Sequence, residues 1–210
     1  MKINLKALLP LWLLSAFSCN VKEEFNKEKM SEKEFWRIID YAKEKSNSND
    51  LKAIELIPNI LKDYEEVEIV EFEIIFETLI AKADDYKIMA AEKIMTGSVT
   101  DDSYIYFRCW LIMQGEKVFE EALINPESLA DLYSKDDLSS FDCESLMYVA
   151  DKAYTIKTGR DAYNDDNGPR NVAYDKGLSY DSPAQPTKGT DWKAEELPKM
   201  YPKLWAKFHS

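Results

Sequence analysis

Asp101, Asp102, Arg108, Trp110 and Gln114 bring two carboxylates, a guanidinium, an indole and an amide into one short stretch. At about 100° per residue, Asp101, Arg108 and Gly115 fall on nearly one helical stripe. Gly115 has no side chain, which leaves room beside the guanidinium for a ligand carboxylate or phosphate, and Trp110 and Gln114 lie close in sequence. The stripe supports two readings. One is a notch that binds an anion or a peptide. The other is a buried arginine held by a carboxylate of another helix, with Gly115 allowing close helix packing. Asp101 or Asp102 as base, with Arg108 as electrophilic partner, would serve a hydrolase or lyase. At a helix start the same two aspartates act as caps that favour the positive end of the dipole.

The wider inventory is poor in catalytic groups. One histidine, three cysteines and six glycines exclude most zinc sites, most Ser-His or Cys-His catalysis and any glycine-rich phosphate loop. Asn164-Asp165-Asp166-Asn167-Gly168 invites a calcium reading, but counting from Asp161 puts Tyr163 at the third place and Asp166 at the sixth, so the EF-hand pattern fails and a polar turn remains. The residues therefore assign no catalytic group, no metal and no cofactor. They favour a non-catalytic helical binding module, with the carboxylate-dependent hydrolase or lyase as the alternative.

Cys19 carries a different chemistry. Lys2 and Lys6 precede an apolar run from Ala7 to Leu14, followed by Ser15-Ala16-Phe17-Ser18-Cys19. A basic start, a short apolar stretch and a small residue before the cleavage point make up a secretory signal peptide. The run is too short to span a bilayer permanently. Cysteine directly after Ser18 makes the segment resemble a bacterial lipoprotein signal, which implies lipidation of Cys19 and a chain tethered to the membrane of the cell envelope, in the outer membrane. Asn20-Val21-Lys22-Glu23-Glu24 fits both an export signal to the cell surface and a plain polar tether facing the periplasm. With Cys19 lipidated, Cys109 and Cys143 remain, and an oxidising compartment would allow them to pair.

Composition bounds the partners. The 210 residues hold 27 Lys plus Arg against 39 Asp plus Glu, a net charge of −12, and loss of residues 1–18 removes two lysines and no acid. Such a surface repels nucleic-acid phosphate, so no nucleic-acid partner is expected. An envelope protein is a better match. Hydrophobic residues at 45% and aromatics at 12% exclude a disordered acidic chain.

Periodicity predicts an all-α, single compact domain of several helices. Residues 1–18 form the signal, 19–29 the tether and 30–210 the helical domain, with a core over 30–159 and a loop-rich tail over 160–210. Ser31 with Glu34 reads as a capping box, and Met30 with Phe35 as the hydrophobic staple around it. Asp50 caps a second helix that Pro58 should end or kink near Ile57. Ile69, Phe72, Phe76, Leu79, Ile80 and Ala83 keep helical spacing, so Glu65 to Leu79 reads as helix, with its glutamates on a solvated face. Tyr104 to Gln114 is apolar on nearly every side, which predicts a buried central helix over about 101–124. Further helices are expected near 127–133 and 143–157. Residues 160–190 read as a long irregular segment, and Trp192 to Phe208 as one last helix.

Phe35-Trp36, Asp101-Asp102, the block Tyr106-Phe107-Arg108-Cys109-Trp110-Leu111-Ile112-Met113-Gln114-Gly115, and Val118-Phe119-Glu120 resemble the bacterial family known as domain of unknown function 4240. The likeness runs from about Met30 to Gly159, and Trp192 with Leu197 to Phe208 looks like the family's closing segment. It implies a mostly helical small domain with no assigned activity. Some relatives are joined to modules associated with nucleic acid, of which none is visible here.

Cys19→Ser is expected to move the protein from the membrane fraction to the soluble fraction. Retention on membranes after a high-salt wash would contradict lipidation.

Overall fold

Ser31 opens the first helix: its Oγ accepts the Glu34 N–H at 3.2 Å, and α1 runs Glu32–Lys45. The other half of the expected capping box is not made. Glu34 turns inward to 1% exposure and accepts from the Tyr64 hydroxyl, the Arg37 guanidinium and the Glu28 N–H. Burial alone would raise its pKa, yet the hydrogen bonds from Arg37, Tyr64 and Glu28 hold the carboxyl below the usual range. The computed structural model describes residues 25–134, 136, 141–179 and 187–209. Cys19 and the signal segment lie outside them.

The second helix, α2, spans Asp50–Leu61, with Asn49 and not Asp50 as its cap. Pro58 does not end it. The backbone bond that proline forfeits is outweighed by Ile57 and Leu61, which flank it and are both fully buried. Next come α3 (Glu66–Lys82), α4 (Tyr86–Thr96) and α5 (Asp101–Met113). The expected single helix over 101–124 is two, because α6 (Glu116–Ile124) starts anew after Gly115. Gly115 has φ +92°, a left-handed value that an L side chain resists, and a Cβ there would come within 3.0 Å of Asp40 Oδ1. The open space at Gly115 therefore faces Asp40, and the proposed room beside Arg108 is not found there.

After α7 (Leu129–Leu132), a 3₁₀ turn over Glu144–Tyr148 leads into α8 (Val149–Thr158). The stretch expected to be irregular contains a helix, α9 (Pro169–Asp175), started by Pro169 and packed on α3. The expected final helix is broken at Tyr201-Pro202 into α10 (Leu197–Met200) and α11 (Pro202–His209), and α11 packs on α4. All described residues form an all-α fold, with one isolated bridge between Asp85 and Lys188. No helix among them is long and apolar enough to cross a membrane.

Two helices organise the interior. Eight of the thirteen residues of α5 are buried, and its Trp110 sits among Phe107, Tyr133 and Phe141 at ring distances of 5.0, 4.9 and 4.5 Å. α3 packs against α1, α5, α8 and α9. Cys109 and Cys143 are both buried and are not joined in a disulfide.

The end of α3 has an unusual set of partners. A helix leaves its last carbonyls without intrahelical donors. Arg108 Nη1 donates to Ile80 O at 3.0 Å, and Lys188 Nζ donates to Ala81 O at 2.7 Å and Lys82 O at 3.1 Å. The Tyr104 hydroxyl lies 3.2 Å from Ala83 O and 3.0 Å from Asp85 O. Two cations thus sit at the negative end of the α3 dipole, where they are stabilising. Arg108→Ala removes a charge-assisted hydrogen bond and leaves a hole in the core. It is expected to lower unfolding free energy by about 2–4 kcal/mol, seen as a lower urea midpoint at unchanged slope.

Candidate functional site

The five residues singled out in the sequence do not share a cleft. Asp101 and Asp102 are exposed in the first turn of α5, whose cap is Thr100 paired reciprocally with Ser103. Arg108 is 8% exposed, stacks on the Tyr104 ring at 4.4 Å and is occupied by Ile80 O. Among the described residues no carboxylate comes within 4.0 Å of it, so a backbone carbonyl holds it and not the expected acidic partner. Trp110 is a core residue at 1% exposure. Gln114 is fully used: Nε2 donates to Asp50 Oδ2 at 3.0 Å and to Trp110 O at 2.9 Å, while Oε1 accepts from Tyr133 OH at 2.9 Å and Lys43 Nζ at 3.3 Å. These bonds tie α5 to α1, to the first turn of α2 and to the chain beyond α7.

The carboxylate nearest in effect to Arg108 is one the sequence reading passed over. Glu92 on α4 is 1% exposed, and its Oε1 accepts the Ser103 hydroxyl at 2.6 Å. Burial pushes its pKa up to about 7, with the Ser103 bond and the Arg108 charge pulling the other way.

A second acidic group lies where α3, α8 and α9 meet. Glu73 and Glu77, one turn apart on α3, are 1% and 3% exposed, which corrects the reading of this glutamate run as a solvated face. Asp151 on α8 and Arg170 on α9 complete the group. Burial drives the Glu73 carboxyl well above the ordinary range, the Glu77 and Asp151 charges drive it further, and Arg170 offsets part of this. Asp151 is raised by burial too, against the Arg170 charge and a hydrogen bond from the Arg170 N–H. Glu73 Oε1 and Asp151 Oδ1 are buried without a hydrogen-bond partner. Arg170 Nη2 donates to Met147 O at 3.2 Å, and its guanidinium lies 5.1 Å from the Tyr148 ring centre. No group of three or more His, Cys, Asp or Glu among the described residues is arranged to hold a metal ion.

Asp151 also lines a groove. It follows the seam between α2 and α8, has a volume of about 760 Å³, and is walled by Leu51, Ile54 and Pro58 on one side and Tyr148, Ile156 and Tyr163 on the other. Leu51, Ile156 and Tyr163 are large apolar or aromatic residues left 57%, 53% and 76% exposed. Glu55, Asp151, Asp161 and Lys152 supply the charge along it. Single exposed apolar residues are ordinary; here three share one concave surface.

A family profile described as "Protein of unknown function (DUF4240)" matches residues 30–156. The chain belongs to that family. Among curated proteins and among solved structures nothing matches. The DUF4240 match covers α1 through most of α8, so Glu73, Glu77, Glu92, Arg108 and Asp151 fall inside it, while Arg170 and Lys188 come from the chain beyond.

The raised Glu92 pKa fixes the sign of one pH effect in this DUF4240 domain. The folded state keeps a proton that the unfolded chain releases near 4.5, so the contribution is complete below pH 4.5 and is lost as pH rises through about 7. Glu92→Gln keeps an acceptor for Ser103 and cannot ionise. Chemical denaturation should show the variant more stable than wild type by about 2–3 kcal/mol at pH 8 and equal to it near pH 4.5.

Proposed function

We propose that this DUF4240 protein is a non-catalytic binding module, tethered through lipid on Cys19 in the bacterial cell envelope, that receives a segment of another protein in the groove between α2 and α8. The observation that carries this reading is the concave surface with Leu51, Ile156 and Tyr163 exposed along it. Leaving three large apolar side chains in water forgoes on the order of 1 kcal/mol or more each, and a partner that covers them recovers it.

The other features agree. The polar residues that first suggested chemistry on α5 are engaged by the fold itself: Arg108 by the end of α3, and Gln114 by Asp50, Tyr133 and Lys43. The carboxylate-hydrolase reading gains nothing from this arrangement, since Asp101 and Asp102 stand on the surface while Arg108 is spent inside. The net charge of −12 opposes nucleic acid. A short polar tether after Cys19 would leave the groove free to meet an envelope protein at the membrane face.

Site-directed photo-crosslinking in native cells tests this. With p-benzoylphenylalanine in place of Ile156, one discrete adduct is expected, and Leu51→Asp should abolish it. The same probe at Ile124, which is 81% exposed and away from the groove lining, should give none. The same adducts at both positions, or none at 156, would contradict the groove as the binding surface.

A further inference from the structure

The groove is acidic as well as apolar. Of its four charged lining residues three are acidic, Glu55, Asp151 and Asp161, against Lys152 alone. Neither Glu55 nor Asp161 has a basic partner among the described residues: the Asp161 carboxylate accepts only from the Tyr163 N–H at 3.1 Å and Asn164 Nδ2 at 2.6 Å. Behind Asp151, burial favours the neutral form of Glu73 and Arg170 stands beside it, so the charge a ligand meets is chiefly that of the exposed Glu55 and Asp161. The surface is also long. Tyr163 is shared with a second depression of about 510 Å³, which continues past Asp166 to Tyr174 and Asp175 and adds two more acids and an aromatic ring 58% exposed.

From this charge and shape we infer that the occupant is an extended peptide segment in which a lysine or arginine stands between apolar residues, the apolar side chains lying on Leu51, Ile156 and Tyr163 and the cation on the Asp151–Asp161 side. The inference rests on the binding-module reading and specifies what that groove accepts. Length favours an extended chain over a compact small molecule. Acidity disfavours an anionic lipid surface, which would meet the same apolar residues but be repelled by the carboxylates.

The test is fluorescence anisotropy on the full chain carrying Cys19→Ser, with a labelled nonapeptide Gly-Ser-Leu-Val-Lys-Leu-Val-Ser-Gly and versions in which norleucine or glutamate replaces the lysine. The lysine peptide should bind at least tenfold tighter than the norleucine peptide and lose that margin as salt rises, and the glutamate peptide should bind weakest. Asp161→Asn, which keeps an oxygen for the Tyr163 N–H, and Asp151→Asn, both checked by circular dichroism, should each narrow the preference for the lysine peptide over the norleucine peptide. Lysine and norleucine peptides binding within twofold of each other, or a preference that survives both substitutions, would overturn the basic-segment inference while leaving the groove reading intact. No binding of any version would overturn both. Binding to phosphatidylglycerol vesicles in preference to all three peptides would make the occupant lipid and overturn the inference.

Discussion

The carbonyls at the end of α3 organise this fold. Four backbone oxygens there need donors, and three side chains from two segments supply them: Arg108 and Tyr104 from α5, and Lys188 from the chain beyond the family match. A guanidinium on a helix as buried as α5 would be costly without partners. The end of α3 supplies one together with a favourable dipole, and Arg108 in turn fixes how far α3 slides along α5. The same contact pins the tail, where Tyr86 N–H and Lys188 O meet at 2.9 Å and Trp192 Nε1 donates to Tyr86 O at 2.8 Å.

With its end fixed, α3 must put one face toward α8 and α9, and on that face are Glu73 and Glu77. Two carboxylates one turn apart repel each other, and burial adds to the cost. Asp151 makes a third, and Arg170 is the cation that lowers the Glu73 carboxyl among them. A core built for stability alone would use apolar residues here, as α5 does. Asp151 is the member of this group that also lines the groove, and so joins the buried cluster to the surface.

Much of this was legible in the sequence. Helical spacing located α1, α2, α3 and α5, Ser31 marked the start of α1, and the apolar run Tyr104 to Gln114 identified the buried helix. The misses share one cause, which is that local pattern does not show what packs on top. Glu73 and Glu77 read as surface residues because glutamate usually is, and their burial depends on α9, a seven-residue helix inside an Asp-, Asn- and Gly-rich stretch. Pro169 followed by a short apolar spacing was the available sign of that helix. Arg108 stood out correctly as anomalous, but its partner is a backbone carbonyl, which carries no sequence signature. Gly115 read as space for a ligand because the run on both sides is helical, and only its positive φ shows that it ends α5. Pro58 lies within α2 because the residues on both sides are buried too deeply for the helix to stop.

On the proposed reading, ligand chemistry belongs to the seam of α2 and α8, and the polar residues of α5 belong to the fold. Backbone ¹H–¹⁵N NMR during titration with the lysine nonapeptide tests it most directly. Shift changes are expected at Leu51, Glu55, Asp151, Lys152 and Ile156, with amides of Asp101 to Gln114 unmoved. Changes centred on Asp101, Asp102 and Arg108, with the α2–α8 seam silent, would contradict it.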